Sequence, residues 1–151
     1  MENNWSEAGA AAADIDISAD DTENFVRIGE MAKSFGVTRR ALRFYEDKGL
    51  IAPRREGATR LYSRRDRARL KLILLGRKVG FSLRDVKQMI DLYDPKGSNA
   101  RQLKTTLDKS EKQLVRLQKQ RDAIDEAIGD LTAAISQVRR ALAERQTAAG
   151  Q

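Results

Sequence analysis

Between residues 99 and 144 the chain holds no proline and one glycine, Gly129, while apolar side chains recur in alternating steps of three and four. Positions 100, 103, 107, 110, 114, 117, 121, 124, 128, 131, 135, 138 and 142 read Ala, Leu, Leu, Ser, Leu, Leu, Arg, Ile, Ile, Leu, Ile, Val and Leu. Eleven of the thirteen are apolar over six heptads, the pattern of a coiled-coil seam on one long helix. At 1.5 Å per residue that helix is roughly 70 Å long, more than the domain preceding it can cover. Leu103, Leu107, Leu114, Leu117, Ile124, Ile128, Leu131, Ile135, Val138 and Leu142 are therefore expected to meet a second copy of the chain. Folding the helix back on its own domain needs a break near the middle, and Gly129 is the one candidate. Arg121 stands at the centre of the seam, where an antiparallel partner brings its twin close, with Asp122 and Asp125 within reach to offset the repulsion. The pattern allows antiparallel pairing without demanding it.

Charge divides the rest of the 151 residues. Residues 1–24 carry seven acids and no base around a small-residue stretch, which reads as a disordered acidic tail. Its sharper reading is an internal competitor for the basic surface, with Trp5 as an anchor to some partner. Residues 25–97 carry 19 bases against 8 acids, and residues 98–151 carry 10 against 7, so the positive field belongs to the middle segment. A field of that density suits an anionic polymer, because each Lys or Arg that meets a phosphate releases condensed counterions. A merely solvated basic surface is the alternative, and spacing must decide.

The chain has no cysteine and no histidine. That removes thiolate metal sites, disulfides and Cys or His nucleophiles, so the expectation is a non-enzyme with no cofactor and no thiol-bound metal. The longest strongly apolar run is Leu72, Ile73, Leu74 and Leu75, far short of the roughly 20 residues that span a bilayer. The N-terminus opens with acids rather than with a basic stretch before an apolar block, so a soluble cytoplasmic protein is expected.

Within the basic segment, Ile28, Met31, Ala32 and Phe35 followed by Gly36 predict one short helix with a glycine stop. A second follows at once. Thr38 can cap it, Ala41, Leu42 and Tyr45 form its buried stripe with Val37 at the entrance, and Lys48 and Gly49 close it. Two short helices about a tight turn suggest helix-turn-helix, whose second helix enters the DNA major groove. Arg39, Arg40 and Arg43 project away from that stripe, able to reach phosphates and guanine edges together. Phe44 shares their side and is expected to pack on a neighbour or on sugars and thymine methyls. Extended runs around a charged turn follow: Leu50 to Pro53, then Arg54, Arg55, Glu56 and Gly57, then Thr59 to Tyr62. This predicts a hairpin wing that lays Arg54, Arg55 and Arg60 on the backbone beside the groove. Ser63 with Asp66, and Ser82 with Asp85, are cap signals for two packing helices built on Leu70, Leu72, Ile73, Leu74 and Leu75 and on Leu83, Val86, Met89, Ile90 and Tyr93.

The run Arg27-Ile28-Gly29-Glu30-Met31-Ala32, the run from Arg40-Ala41-Leu42-Arg43-Phe44-Tyr45-Glu46 through Leu50-Ile51-Ala52-Pro53, the wing Thr59-Arg60-Leu61-Tyr62-Ser63 and Gly80-Phe81-Ser82-Leu83 together resemble the MerR family of bacterial transcription regulators. The resemblance covers residues 25–95, and the single long helix agrees with the family's antiparallel dimerisation helix. It implies a mainly α fold, a winged helix-turn-helix followed by a coiled-coil helix, acting as a homodimer in the bacterial cytoplasm at the nucleoid. It also implies a palindromic element in double-stranded promoter DNA, distortion of an overlong spacer, and RNA polymerase as the onward partner. By the family's pattern Arg40, Arg43, Tyr45, Arg60 and Tyr62 would hold DNA, while Thr59 departs from the aromatic residue common before the wing arginine. Residues 60–94 are similar to a subgroup controlling leucine, isovalerate and other branched-chain acid degradation. An effector would bind near the hinge around Tyr93, Asp94, Lys96 and Arg101, or between protomers.

The expected organisation is a tail over 1–24, a DNA-binding domain over 25–97, a dimerisation helix over 98–145 and a short tail over 146–151. Two other readings compete. One is an architectural DNA-bending protein of the excisionase type; the other is a coiled-coil adaptor whose basic domain takes an acidic protein partner.

Overall fold

The computed structural model describes residues 24–93 and 97–150. The expected acidic tail with Trp5, and Asp94, Pro95 and Lys96 of the hinge, lie outside the described residues. Contacts divide the chain into one unit ending at Leu107 and a second from Asp108 onward.

In the first unit, strand β1 (Val26–Arg27) leads into helix α1 (Ile28–Phe35) and then helix α2 (Arg39–Asp47). Gly36 ends α1 at φ 63°, the left-handed conformation that glycine adopts without steric cost, and its amide reaches back to Ala32 and Lys33 carbonyls. Thr38 caps α2, its side chain accepting from the Ala41 amide at 3.0 Å. Strands β2 (Arg54–Glu56) and β3 (Thr59–Tyr62) form the hairpin, and the sheet order is β1-β3-β2, antiparallel throughout. Helices α3 (Arg64–Lys78) and α4 (Leu83–Asp91) complete the unit. Ser63 and Asp66 make both halves of a capping box at the start of α3, and Ser82 caps α4 through the Asp85 amide.

Met31, Ala32, Leu42, Leu50, Ile51, Tyr62, Leu70, Ile73, Val86 and Ile90 form the buried core. Here the structure corrects the expected hairpin. Leu50 and Ile51 belong to no strand and are buried, while the strand begins at Arg54 and the turn is Gly57 with Ala58. Among the apolar residues of α3 only Leu70 and Ile73 are fully buried, with Leu72, Leu74 and Leu75 half-buried. Polar groups share the interior instead. Asp66 accepts from the Ala52 and Ser63 amides at 2.9 and 3.0 Å, fastening the approach to the hairpin onto α3. Arg69 donates through Nε to the Leu50 carbonyl at 2.6 Å and pairs with Asp91 at 2.8 Å, and Lys87 also pairs with Asp91. The exit of α2 and the end of α4 are thereby joined across α3.

Helices α3 and α4 cross closely at Gly76, where an added Cβ would stand 2.5 Å from Val86 Cγ2. Val86 is 1% exposed and has no room to retreat. Gly76→Ala is expected to destabilise the domain by about 1–3 kcal/mol, read as a lower denaturation midpoint at unchanged slope.

Helix α5 (Ala100–Ala149) is 50 residues long, about 75 Å, and runs four residues past the expected end at Arg145. It is continuous through Gly129, the position at which a break was conceivable. All ten seam residues named above are exposed in the single chain, from 38% at Leu117 to 67% at Val138. Arg121 pairs with Asp122 at 3.2 Å, so the cation at the centre of the seam carries its own counter-charge. No described helix is long and apolar enough to cross a membrane.

Candidate nucleic-acid interface

Arg39, Arg40 and Arg43 are all exposed on α2. Among the described residues none of the three enters an ion pair. Leu42 on the opposite side is fully buried, and this fixes the rotation of the helix about its axis. Phe44 is 44% exposed, with Lys48 Nζ 5.6 Å above its ring and the Tyr45 ring tilted against it at 5.9 Å. Arg40, Phe44 and Lys48 thus make one row at four-residue spacing, an apolar ring between two cations. Tyr45 is half-buried and packs on the core, as its place on the apolar stripe implies.

Register sorts the wing residues. Arg54 stands opposite Leu61 and Arg55 opposite Arg60, while Arg27 pairs with Leu61 and Val26 with Tyr62. Partners in register share a face and neighbours along a strand alternate, so Arg55, Arg60, Tyr62 and Val26 take one face. Arg27, Leu61 and Arg54 take the other. Two arginines directly opposite each other repel unless an anion sits between them, and α2 supplies it. Glu46 Oε1 accepts from Arg55 Nη2 at 2.9 Å and Oε2 accepts from Arg60 Nε at 2.7 Å, clasping the wing to α2. The partial burial of Glu46 pushes its pKa up, but the hydrogen bonds and charges of Arg60 and Arg55 outweigh this and hold it below the usual 4.5.

The clasp therefore contributes stability above about pH 4.5, lost as pH falls through the lowered value. Glu46→Gln is expected to cost about 1 kcal/mol at neutral pH, because one of its two partners is half exposed. The gap to wild type should narrow at an acidic pH below that lowered pKa, where the wild-type carboxylate is itself protonated. Denaturant melts at the two pH values check it.

Tyr62 departs from the expected wing surface. It is 0% exposed, because the inner face of β3 lies on the core, and its hydroxyl has no partner among the described residues. Burial pushes its phenol above the ordinary range, so it is a neutral packing group in this conformation. Arg54 lies on the outer face, its guanidinium 6.0 Å from the Phe25 ring and 3.9 Å from Glu56. The interface brought together beside α2 is thus Arg39, Arg40, Arg43, Arg55 and Arg60, with Arg54 behind. Two further exposed cations, Arg64 and Arg65 in the first turn of α3, follow directly on the wing and were not singled out from sequence. Their position just after the Ser63 cap was the available signal. Glu46 was missed too, and the facing Arg55–Arg60 pair signals it only once the register is known. Among the described residues no group of His, Cys, Asp or Glu could hold a metal ion. Of the hinge residues expected around an effector, Tyr93 is half-buried and Arg101 exposed.

Residues 26–92 match the model of the MerR HTH family regulatory protein, and residues 67–141 match that of the MerR DNA-binding region. The HTH-type transcriptional regulator CueR of Salmonella typhi is 36% identical over 105 residues, 66% of this chain and 76% of that protein. This chain belongs to the MerR family. It is therefore a DNA-binding transcriptional regulator of the MerR type, built as a winged helix-turn-helix followed by a long helix. A MerR regulator of Bacillus cereus has a crystal structure similar to it, with TM-score 0.59 and 26% identity over 70% of this chain and 76% of that one. Another similar structure is PbrR691 of Ralstonia metallidurans CH34, solved in complex with lead(II), with TM-score 0.53 and 29% identity over 70% of this chain and 84% of that one. The present MerR chain contains no cysteine.

Proposed function

We propose that this regulator binds a palindromic promoter element as a homodimer, with Arg39, Arg40 and Arg43 reading and gripping the major groove. Arg55 and Arg60, with Arg54 behind, hold the flanking backbone, and Tyr45 offers its hydroxyl to a phosphate from its half-buried position. The observation that carries this is three exposed guanidiniums on one helix, in no ion pair among the described residues, beside a wing locked in place by Glu46. The exposed seam of α5 supplies the second half-site by pairing two chains, antiparallel in the family manner. Gripping both flanks supports bending and undertwisting of the spacer, a deformation of several kcal/mol repaid by phosphate contacts, which realigns the two promoter hexamers that flank the spacer and that RNA polymerase recognises. Neither binding nor distortion needs a catalytic residue.

The finer assignment is control of branched-chain acid degradation, supported by the resemblance over residues 60–94 alone. Genome-wide footprinting tests both levels. Protected palindromes centred in promoter spacers are expected, among them operons for acyl-CoA dehydrogenases or carboxylases. Palindromes elsewhere would discard the regulon and keep the regulator. Binding without sequence preference would instead favour the architectural reading, and affinity indifferent to DNA would favour the adaptor.

A further inference from the structure

Gly29 lies in the first turn of α1 with a φ that is not positive, so the backbone does not require a glycine there. A helical glycine gives up stability relative to alanine. Something other than conformation must explain it. An added Cβ at Gly29 would stand 2.9 Å from Arg39 Nη2, 3.6 Å from Cζ and 3.7 Å from Nε. The Nε–Cζ–Nη2 edge of the guanidinium therefore lies beside the bare backbone of α1. The other helical glycines differ, since Gly76 accommodates the buried Val86 and Gly129 has nothing within 4 Å.

Arg39 is the first residue of α2, immediately after the Thr38 cap, and N-terminal residues of a recognition helix are the ones that meet base edges. Its long side chain has many rotamers when free, and ordering it on binding costs entropy. Among the described residues no carboxylate holds it, Glu30 of the same α1 turn included. What it does have is room to lie in the notch left by the missing Cβ.

We infer that Gly29 is a positioning residue for DNA recognition: its lack of a side chain makes a seat on α1 that pre-orients Arg39 toward the duplex. The inference rests on the proposed DNA-binding role of Arg39. Gly29→Ala displaces only the far end of a flexible side chain, so the fold tolerates it, and the melting temperature should be equal to or above that of wild type.

The test is a double-mutant cycle by fluorescence anisotropy at one fixed salt concentration. The probe is a duplex selected by the wild-type protein from a random-sequence library. Arg39→Ala is expected to weaken binding about tenfold, and Gly29→Ala about fivefold. The double variant should bind no more weakly than Arg39→Ala alone. Wild-type affinity in Gly29→Ala would overturn the inference. So would an unchanged fivefold loss in the Arg39→Ala background, since a methyl that clashes with DNA directly does not need Arg39. If Arg39→Ala is silent while Arg43→Ala still weakens binding, the seat is overturned and the DNA-binding reading survives. If the wild-type protein selects no sequence at all, the reading beneath both fails.

Discussion

Leu131→Glu is expected to leave a folded monomer whose affinity for promoter DNA is lower by ~10²-fold or more. Leu131 is 62% exposed in the single chain and lies outside the core cluster, so the substitution breaks no contact that the DNA-binding unit needs. In a paired rod the same position sits among Ile124, Ile128, Ile135 and Val138 of the seam, and a carboxylate there must be desolvated without a partner. The two halves of a palindrome are then no longer engaged by one molecule, and the gain from effective concentration disappears. Analytical ultracentrifugation at micromolar concentration reads the first effect and anisotropy on the selected duplex reads the second. A Leu131→Glu dimer that sediments like wild type would show that the seam is not where the copies meet. A melting temperature unchanged in the DNA-binding unit separates this from unfolding.

The parts of the fold written in the sequence are those set by near neighbours. Thr38 caps whatever helix begins at Arg39, Gly36 ends whatever helix precedes it, and Ser63 with Asp66 closes a capping box within three residues. The long helix is legible for the same reason, since one helical period repeats over six heptads. Strand β1 was not legible, because two residues carry no period and Val26 and Arg27 are strand only by pairing with β3. Leu50 and Ile51 look like strand residues by composition, yet their burial follows from how the exit of α2 meets α3 through Arg69.

The candidate site divides along the same line. That Arg39, Arg40 and Arg43 face away from Leu42 follows from helical spacing alone. Which wing residues face α2 depends on hairpin register, and a one-residue slip exchanges the two faces. Taking Leu50 to Pro53 as the first strand left that register open. Hence Tyr62, expected on the surface, lies in the core, and Arg54 lies behind the wing rather than beside α2. The clasp by Glu46 and the seat at Gly29 are contacts between elements that no local pattern announces.

Replacing Arg39, Arg40 and Arg43 together by alanine is expected to lower affinity for the selected duplex by ~10³-fold or more while leaving the protein folded and dimeric. Alanine is the best helix former, and among the described residues these side chains have neither ion pairs nor a share in the core, so α2 keeps its Thr38 cap and its packing through Leu42. Salt separates the two jobs the arginines do. Each phosphate that the protein no longer neutralises makes the plot of log affinity against log salt shallower by about 0.9, whereas removing a hydrogen bond to a base lowers affinity at every salt concentration without changing the slope. Wild-type affinity should fall by ~10³ or more from 50 to 200 mM salt if at least six phosphates are held across the dimer. In the triple variant the slope should retain the share due to Arg55 and Arg60, because Glu46 still presents both. A triple variant with the wild-type slope and no sequence preference would make α2 a pure reader of bases, with every phosphate held elsewhere. One with undiminished preference would remove α2 from the groove altogether.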